Sequence, residues 1–174
     1  MKEIIYNSKE KLDSAKSLIK DELREYFSSF NYKTPSSSFQ VIDLKCIEDL
    51  SKIYSSQGFY ILMTNKHFED NYCKLSIDGC TAIYRGHCCT TKDRIMSHLF
   101  NVEHNRTISK HKTKYKVCLK IEDKVNGINI DQKPYSDYIW KVIVHKMKGS
   151  TLIIREQAEK AFDEKYGIPV KSHK

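Results

Sequence analysis

No apolar run in the 174-residue chain approaches the ~20 residues of a membrane span. The first residues, Met1-Lys2-Glu3-Ile4-Ile5-Tyr6, lack the apolar core of a secretory signal. The chain is therefore expected to stay in the cytoplasm. Its six cysteines, Cys46, Cys73, Cys80, Cys88, Cys89 and Cys118, are expected to remain reduced thiols. Their spacings, even with His67 and His87 added, match no C-x-x-C or C-x-x-H pattern, so buried or incidental thiols are expected rather than structural zinc. No cluster of acids suits a pair of metal ions. Internal repeats and low-complexity segments are also absent.

What is present describes a folded, basic protein. Hydrophobic residues make up 40% and charged ones 30%, a globular balance, and the length supports one well-cored domain. The formal net charge is +8, which favours nucleic acid or an acidic membrane as partner. With no membrane segment, nucleic acid is the expected one.

Residues 8–30 read as an amphipathic helix, with Leu12, Ala15, Leu18, Ile19, Leu23, Tyr26 and Phe27 on one stripe. A Thr34-Pro35-Ser36-Ser37-Ser38 loop follows, then a short extended segment at Phe39–Ile42 and a short helix over residues 46–54. Tyr115–Ile121 alternates as a strand should, residues 122–134 read as a turn-rich connection, and Trp140–Met147 is the strongest β-run. Gly149-Ser150 breaks that run. Ser150 or Thr151 then caps a helix through Glu156, Ala158, Ala161 and Phe162, stopped by Gly167 and Pro169.

The chemistry concentrates between Gly58 and His98. Two apolar, aromatic runs, Gly58–Met63 and Thr81–Tyr84, read as paired strands joined by a long loop. Thr90 or Thr91 opens a helix with Ile95, Leu99 and Phe100 on its apolar side. Arg94 and His98 are four apart and share a helix face. Two tyrosines and an Arg/His pair thus converge on one cleft suited to an anion, since arginine forks a phosphate while tyrosine and histidine move protons.

This stretch resembles the catalytic core of the GIY-YIG nucleases. Gly58-Phe59-Tyr60 stands where the family has Gly-Ile-Tyr, and Tyr84-Arg85-Gly86 where it has Tyr-Ile-Gly. Arg94 matches the family's arginine, His98 its helical histidine, and Glu156 within Arg155-Glu156-Gln157 its metal-binding glutamate. The tyrosines are 24 positions apart, wider than is usual there, so His67–Cys80 reads as an insertion. A strand residue at Arg85 points away from the face that carries Tyr84, so its substitution for an aliphatic residue leaves that face unchanged. The tail lacks the asparagine with which the family often ends.

The resemblance implies an α/β (α+β) fold with a small mixed or antiparallel three-stranded sheet flanked by helices. Residues 1–57 would be an N-terminal helical extension and 58–174 the core, with insertions at 67–80 and 101–134. It implies a metal-dependent endonuclease on double-stranded DNA, of the type II restriction kind and acting as a homodimer. The alternatives are a nuclease for single strands or RNA in host defence or a phage, and a non-catalytic nucleic-acid-binding protein on the same fold. Tyr60 would be the base or water-orienting group, and Tyr84 a hydrogen-bonding partner of the water or phosphate. Arg94 would stabilise the phosphorane, His98 would hold phosphate or pass a proton, and Glu156 would hold one Mg²⁺ or Mn²⁺. Glu159, one turn along, competes for the metal, and Glu156 with Lys160 forms an ordinary helix pair as the structural alternative. The cationic stretch from His104 to Lys114, with Arg106, Lys110, Lys112 and Lys114, and Arg85 are the expected phosphate contacts.

Overall fold

A computed structural model describes residues 1–107, 115, 118–122 and 126–172. One antiparallel sheet of five strands organises them: β1 (Phe39–Leu44), β2 (Gly58–Thr64), β3 (Ser76–Ile77), β4 (Cys80–Cys88) and β5 (Trp140–Lys146), in the order β1-β5-β2-β4-β3. The three strands expected from the motifs are its centre. The correction is at the edges. Phe39–Leu44 pairs along its whole length with β5, and Ser76–Ile77 pairs with the start of β4. That last turn is Asp78-Gly79, both at positive φ (50° and 77°), the backbone that a two-residue hairpin loop requires.

β2 is buried at all seven residues because β5 and β4 flank it and both faces are covered. Its alternation sorts the core in two. Tyr60 and Leu62 point to one side with Val142, Val144, Ile95 and Leu99, beneath α2 (Thr91–Leu99). Phe59, Ile61 and Met63 point to the other with Ile143, Phe27, Ala158 and Phe162, beneath α1 (Lys2–Ser28) and α4 (Leu152–Tyr166). Burying both faces of one central strand joins the two core layers.

α1 begins six residues earlier than its stripe suggested and runs about 40 Å at 1.5 Å per residue. Its C-terminal half packs on α4, with Lys20 Nζ 2.5 Å from Glu164 and the Tyr166 hydroxyl donating to the Phe27 carbonyl at 3.0 Å. Leu12 and Leu18, expected on the apolar stripe, are exposed. The α1 segment is therefore half core element and half projecting helix.

The stretch after α2 also departs from expectation. α3 (Asn101–Thr107) follows directly, and the described residues 115 and 118–121 lie outside any strand; Lys116 and Val117 fall outside the described residues. Instead Leu119, Ile121, Ile128 and Ile130 are buried around the end of α2. The N–H groups of Ile128 and Ile130 donate to the carbonyls of His98 and Leu99 at 2.8 and 2.9 Å, satisfying the orphan acceptors of the helix end. The expected insertion thus contributes Leu119, Ile121, Ile128 and Ile130 to the core. Among the described residues no helix is long and apolar enough to cross a membrane.

Candidate active site

Two glycines let the site exist. Gly86 lies opposite Tyr60 in the β2–β4 register, and a Cβ on it would stand 2.6 Å from the Tyr60 hydroxyl. At Gly58 a Cβ would meet the His145 carbonyl oxygen at 2.7 Å and the Thr91 methyl at 2.8 Å. α2 can thus start directly over β2, and the Thr91 hydroxyl fastens it there by donating to the carbonyls of Tyr54 and Ser56.

Tyr60, Tyr84 and His98 form one packed group. The Tyr60 hydroxyl is 2.8 Å from His98 Nε2, and the Tyr84 and His98 rings are 4.7 Å apart. His98 Nδ1 is 2.8 Å from the backbone N–H of Leu119. An amide can only donate, so Nδ1 is the unprotonated nitrogen and Nε2 carries the hydrogen. His98 therefore donates to Tyr60. Burial, reinforced by Arg94, holds this imidazole well below its ordinary pKa, so it stays neutral. The Tyr60 and Tyr84 rings stack with centroids 6.2 Å apart. Burial lifts both phenols above their usual value, and Arg94 opposes that rise.

Tyr60 is 1% exposed and His98 is fully buried, whereas Tyr84 and Arg94 reach the surface. The Arg94 guanidinium lies 4.6 Å from the Tyr115 ring centroid and 3.9 Å from Cys118 Sγ. The order from solvent inward is Arg94 and Tyr84, then Tyr60 and His98, then the Leu119 amide. Tyr115 and Leu119 carry no local sequence signal for these roles, because their partners sit some 20 positions earlier in the chain.

Arg85 points to the opposite face of the sheet, as strand alternation predicts. There its guanidinium meets Asp163 at 2.7 Å and Glu159 at 3.2 Å, with the arginine side chain 10% exposed. Expected to contact phosphate, it is instead matched by two carboxylates within the protein. Asp163 was legible as an acid one helical turn beyond Glu159. Burial raises the Glu159 carboxyl despite Arg85. Glu156 is exposed, and among the described residues it has no ion-pair partner. Its charge acts on His87, whose pKa is lowered first by burial and then by Arg155.

The register places His87 and Arg85 on the α4 side and Tyr60 and Tyr84 on the α2 side. The two sides communicate around the free edge of β4, where Tyr84 senses the Glu159 carboxylate. The C-terminal tail runs along that edge, the Lys171 N–H donating to the Ile83 carbonyl and Ser172 Oγ accepting from the Arg85 N–H. No group of three or more His, Cys, Asp or Glu gathers for a metal among the described residues. On donor chemistry the unpaired hard oxygen of Glu156 suits a single Mg²⁺ that keeps most of its waters, and the Arg85-bound Glu159 does not.

Of the expected phosphate contacts, Arg106 is exposed and paired to Glu103. Lys110, Lys112 and Lys114 lie outside the described residues. Comparison with protein-family models, curated proteins and solved structures found no match for this chain.

Proposed function

We propose that the chain is a metal-dependent endonuclease of the GIY-YIG kind that hydrolyses phosphodiester bonds in DNA. One observation carries the reading: Tyr60, Tyr84, Arg94 and His98 meet on one face of the β4-β2-β5 core, with both tyrosines and the histidine in mutual contact. Chance matches scattered through a sequence would not be expected to pack against one another. The β-sheet order and the helix that directly follows the second tyrosine support the same reading.

In this mechanism Arg94 holds the scissile phosphate and offsets the charge that develops on it. Tyr84, the tyrosine at the surface, in its ionised form takes the proton from the attacking water as the new P–O bond forms and the P–O bond to the leaving oxygen breaks. Tyr60 and His98 pack behind the Tyr84 ring, a positioning role that follows from their burial. Glu156 would hold a single Mg²⁺ or Mn²⁺, which would supply Lewis-acid charge. The enzyme is a cytoplasmic, restriction-type endonuclease whose homodimer cuts both strands.

The test is incubation of purified protein with supercoiled plasmid DNA and Mg²⁺, followed by mapping of the ends. Discrete fragments are expected from wild type and intact plasmid from Arg94→Ala. Equal cleavage by the two proteins, or none by either across Mg²⁺ and Mn²⁺, would remove the reading.

A further inference from the structure

The chain has six thiols, and two of them, Cys46 and Cys89, are exposed. Cys73, Cys80 and Cys118 are buried, and Cys88 is half-buried. The exposed pair sits in opposite electrostatic surroundings. Cys46 Sγ lies 3.6 Å from Asp49 Oδ2, and its hydrogen bond to Glu48 raises this thiol above its ordinary pKa. Cys89 Sγ instead lies 3.3 Å from Arg155 Nη2. It also stands one residue before Thr90, the N-cap of α2, where the positive end of a helix favours an anion. The thiolate is the form of cysteine that reacts, so carboxylates hold Cys46 back and the guanidinium favours Cys89.

The independent observation is Arg155. It is 5% exposed, and among the described residues it has no ion-pair partner. Its Nη1 donates to the carbonyl and hydroxyl of Ser150 at 2.5 and 3.1 Å, both neutral acceptors. Its Nε is buried with no acceptor. A guanidinium buried without a counter-charge is costly, because no partner offsets its desolvation. Among the described residues the Cys89 thiol is the one ionisable group that hydrogen-bonds to Arg155. Ionised, that sulfur supplies the missing negative charge, and its residue is exposed, so a reagent can reach it.

We propose that Cys89 is a covalent modification site, the thiol of this chain that exchanges with a small disulfide such as oxidised glutathione. The Cys89 thiolate attacks one sulfur of the reagent, and a new S–S bond forms as the old one breaks. Cys89 is oxidised and the departing sulfur reduced. That sulfur leaves with the electron pair and takes up a proton, matching the one that Cys89 gave to solvent. The reaction uses no member of the tyrosine cluster and requires no cleavage.

Reaction of the full chain with limiting iodoacetamide at neutral pH, mapped by peptide mass spectrometry, tests it. Iodoacetamide is uncharged, so a preference reports the thiol and not attraction of the reagent. Cys89 should be alkylated at least about tenfold faster than Cys46, although both are exposed. Arg155→Met, checked for native folding by circular dichroism, should bring Cys89 down to the Cys46 rate. Oxidised glutathione should form its adduct on Cys89 and leave Cys89→Ser unmodified. Cys46 reacting as fast as Cys89 in wild type overturns the proposal. So does a Cys89 preference that persists in folded Arg155→Met, or a Cys89→Ser chain that takes up glutathione as fast as wild type. Should Arg155→Met fail to fold, the wild-type comparison and Cys89→Ser decide. None of these outcomes bears on whether plasmid is cut.

Discussion

His98 donates to the Tyr60 hydroxyl at 2.8 Å because the Leu119 amide already occupies its other ring nitrogen. Tyr60→Phe keeps the ring and removes the acceptor, leaving a buried N–H with nothing to bond. The expected cost is about 1–3 kcal/mol of folding stability, read as a lower urea midpoint at unchanged slope. Cleavage should also slow, with KM held, because Tyr60 positions Tyr84 and does not touch substrate. A variant as stable as wild type would mean that the hydrogen bond contributes nothing net.

Tyr84→Phe should lower kcat by at least about a hundredfold, the usual scale for a lost general base. In wild type, log kcat should rise with pH between about 7 and 9 with a slope near one. Burial holds the Tyr84 phenol above its ordinary value, so ionised tyrosine stays scarce over that range. A flat profile would assign the base to another group.

Glu156→Gln should abolish cleavage while leaving DNA binding near wild type, since it removes a metal-binding charge and no phosphate contact. Losing several kcal/mol of barrier lowering corresponds to about a thousandfold or more. Glu159→Gln should behave in the opposite way. It breaks the partly buried pair with Arg85, so the first deficit to appear is thermal stability. If Glu159→Gln kills cleavage at full stability and Glu156→Gln does not, the metal role moves one turn along α4.

Two buried imidazoles predict how stability depends on pH. Burial pulls His145 down to about 3 and holds His98 well below its ordinary value. In the unfolded chain both titrate near 6.5. The unfolded state therefore binds the extra protons, and the native state is favoured fully above about pH 6.5 and progressively less as pH falls. Between pH 7.5 and 5 His145 should cost about 2 kcal/mol, and His98 adds to the loss in the same direction. His145→Phe should remove the His145 share. A urea midpoint unchanged between the two pH values would show that neither ring stays neutral.

The local elements and the list of candidate residues were readable from sequence because each depends on near neighbours. The 3.6-residue stripe places α4, the apolar run places β2, and Arg94 with His98 falls on one helix face by spacing alone. Alternation likewise turns Arg85 away from Tyr84, as its pairing with Asp163 bears out. The roles were decided elsewhere. Whether His98 donates to Tyr60 or accepts from it depends on the Leu119 amide, which fixes the His98 tautomer from 21 residues away. Whether Arg85 contacts phosphate depends on acids 74 and 78 positions later, on a helix that packs across the sheet. β1 joins the sheet only because β5, about a hundred residues on, offers it a free edge. A short sequence window records propensity and spacing; burial, protonation and charge pairing are set by what the folded chain brings alongside.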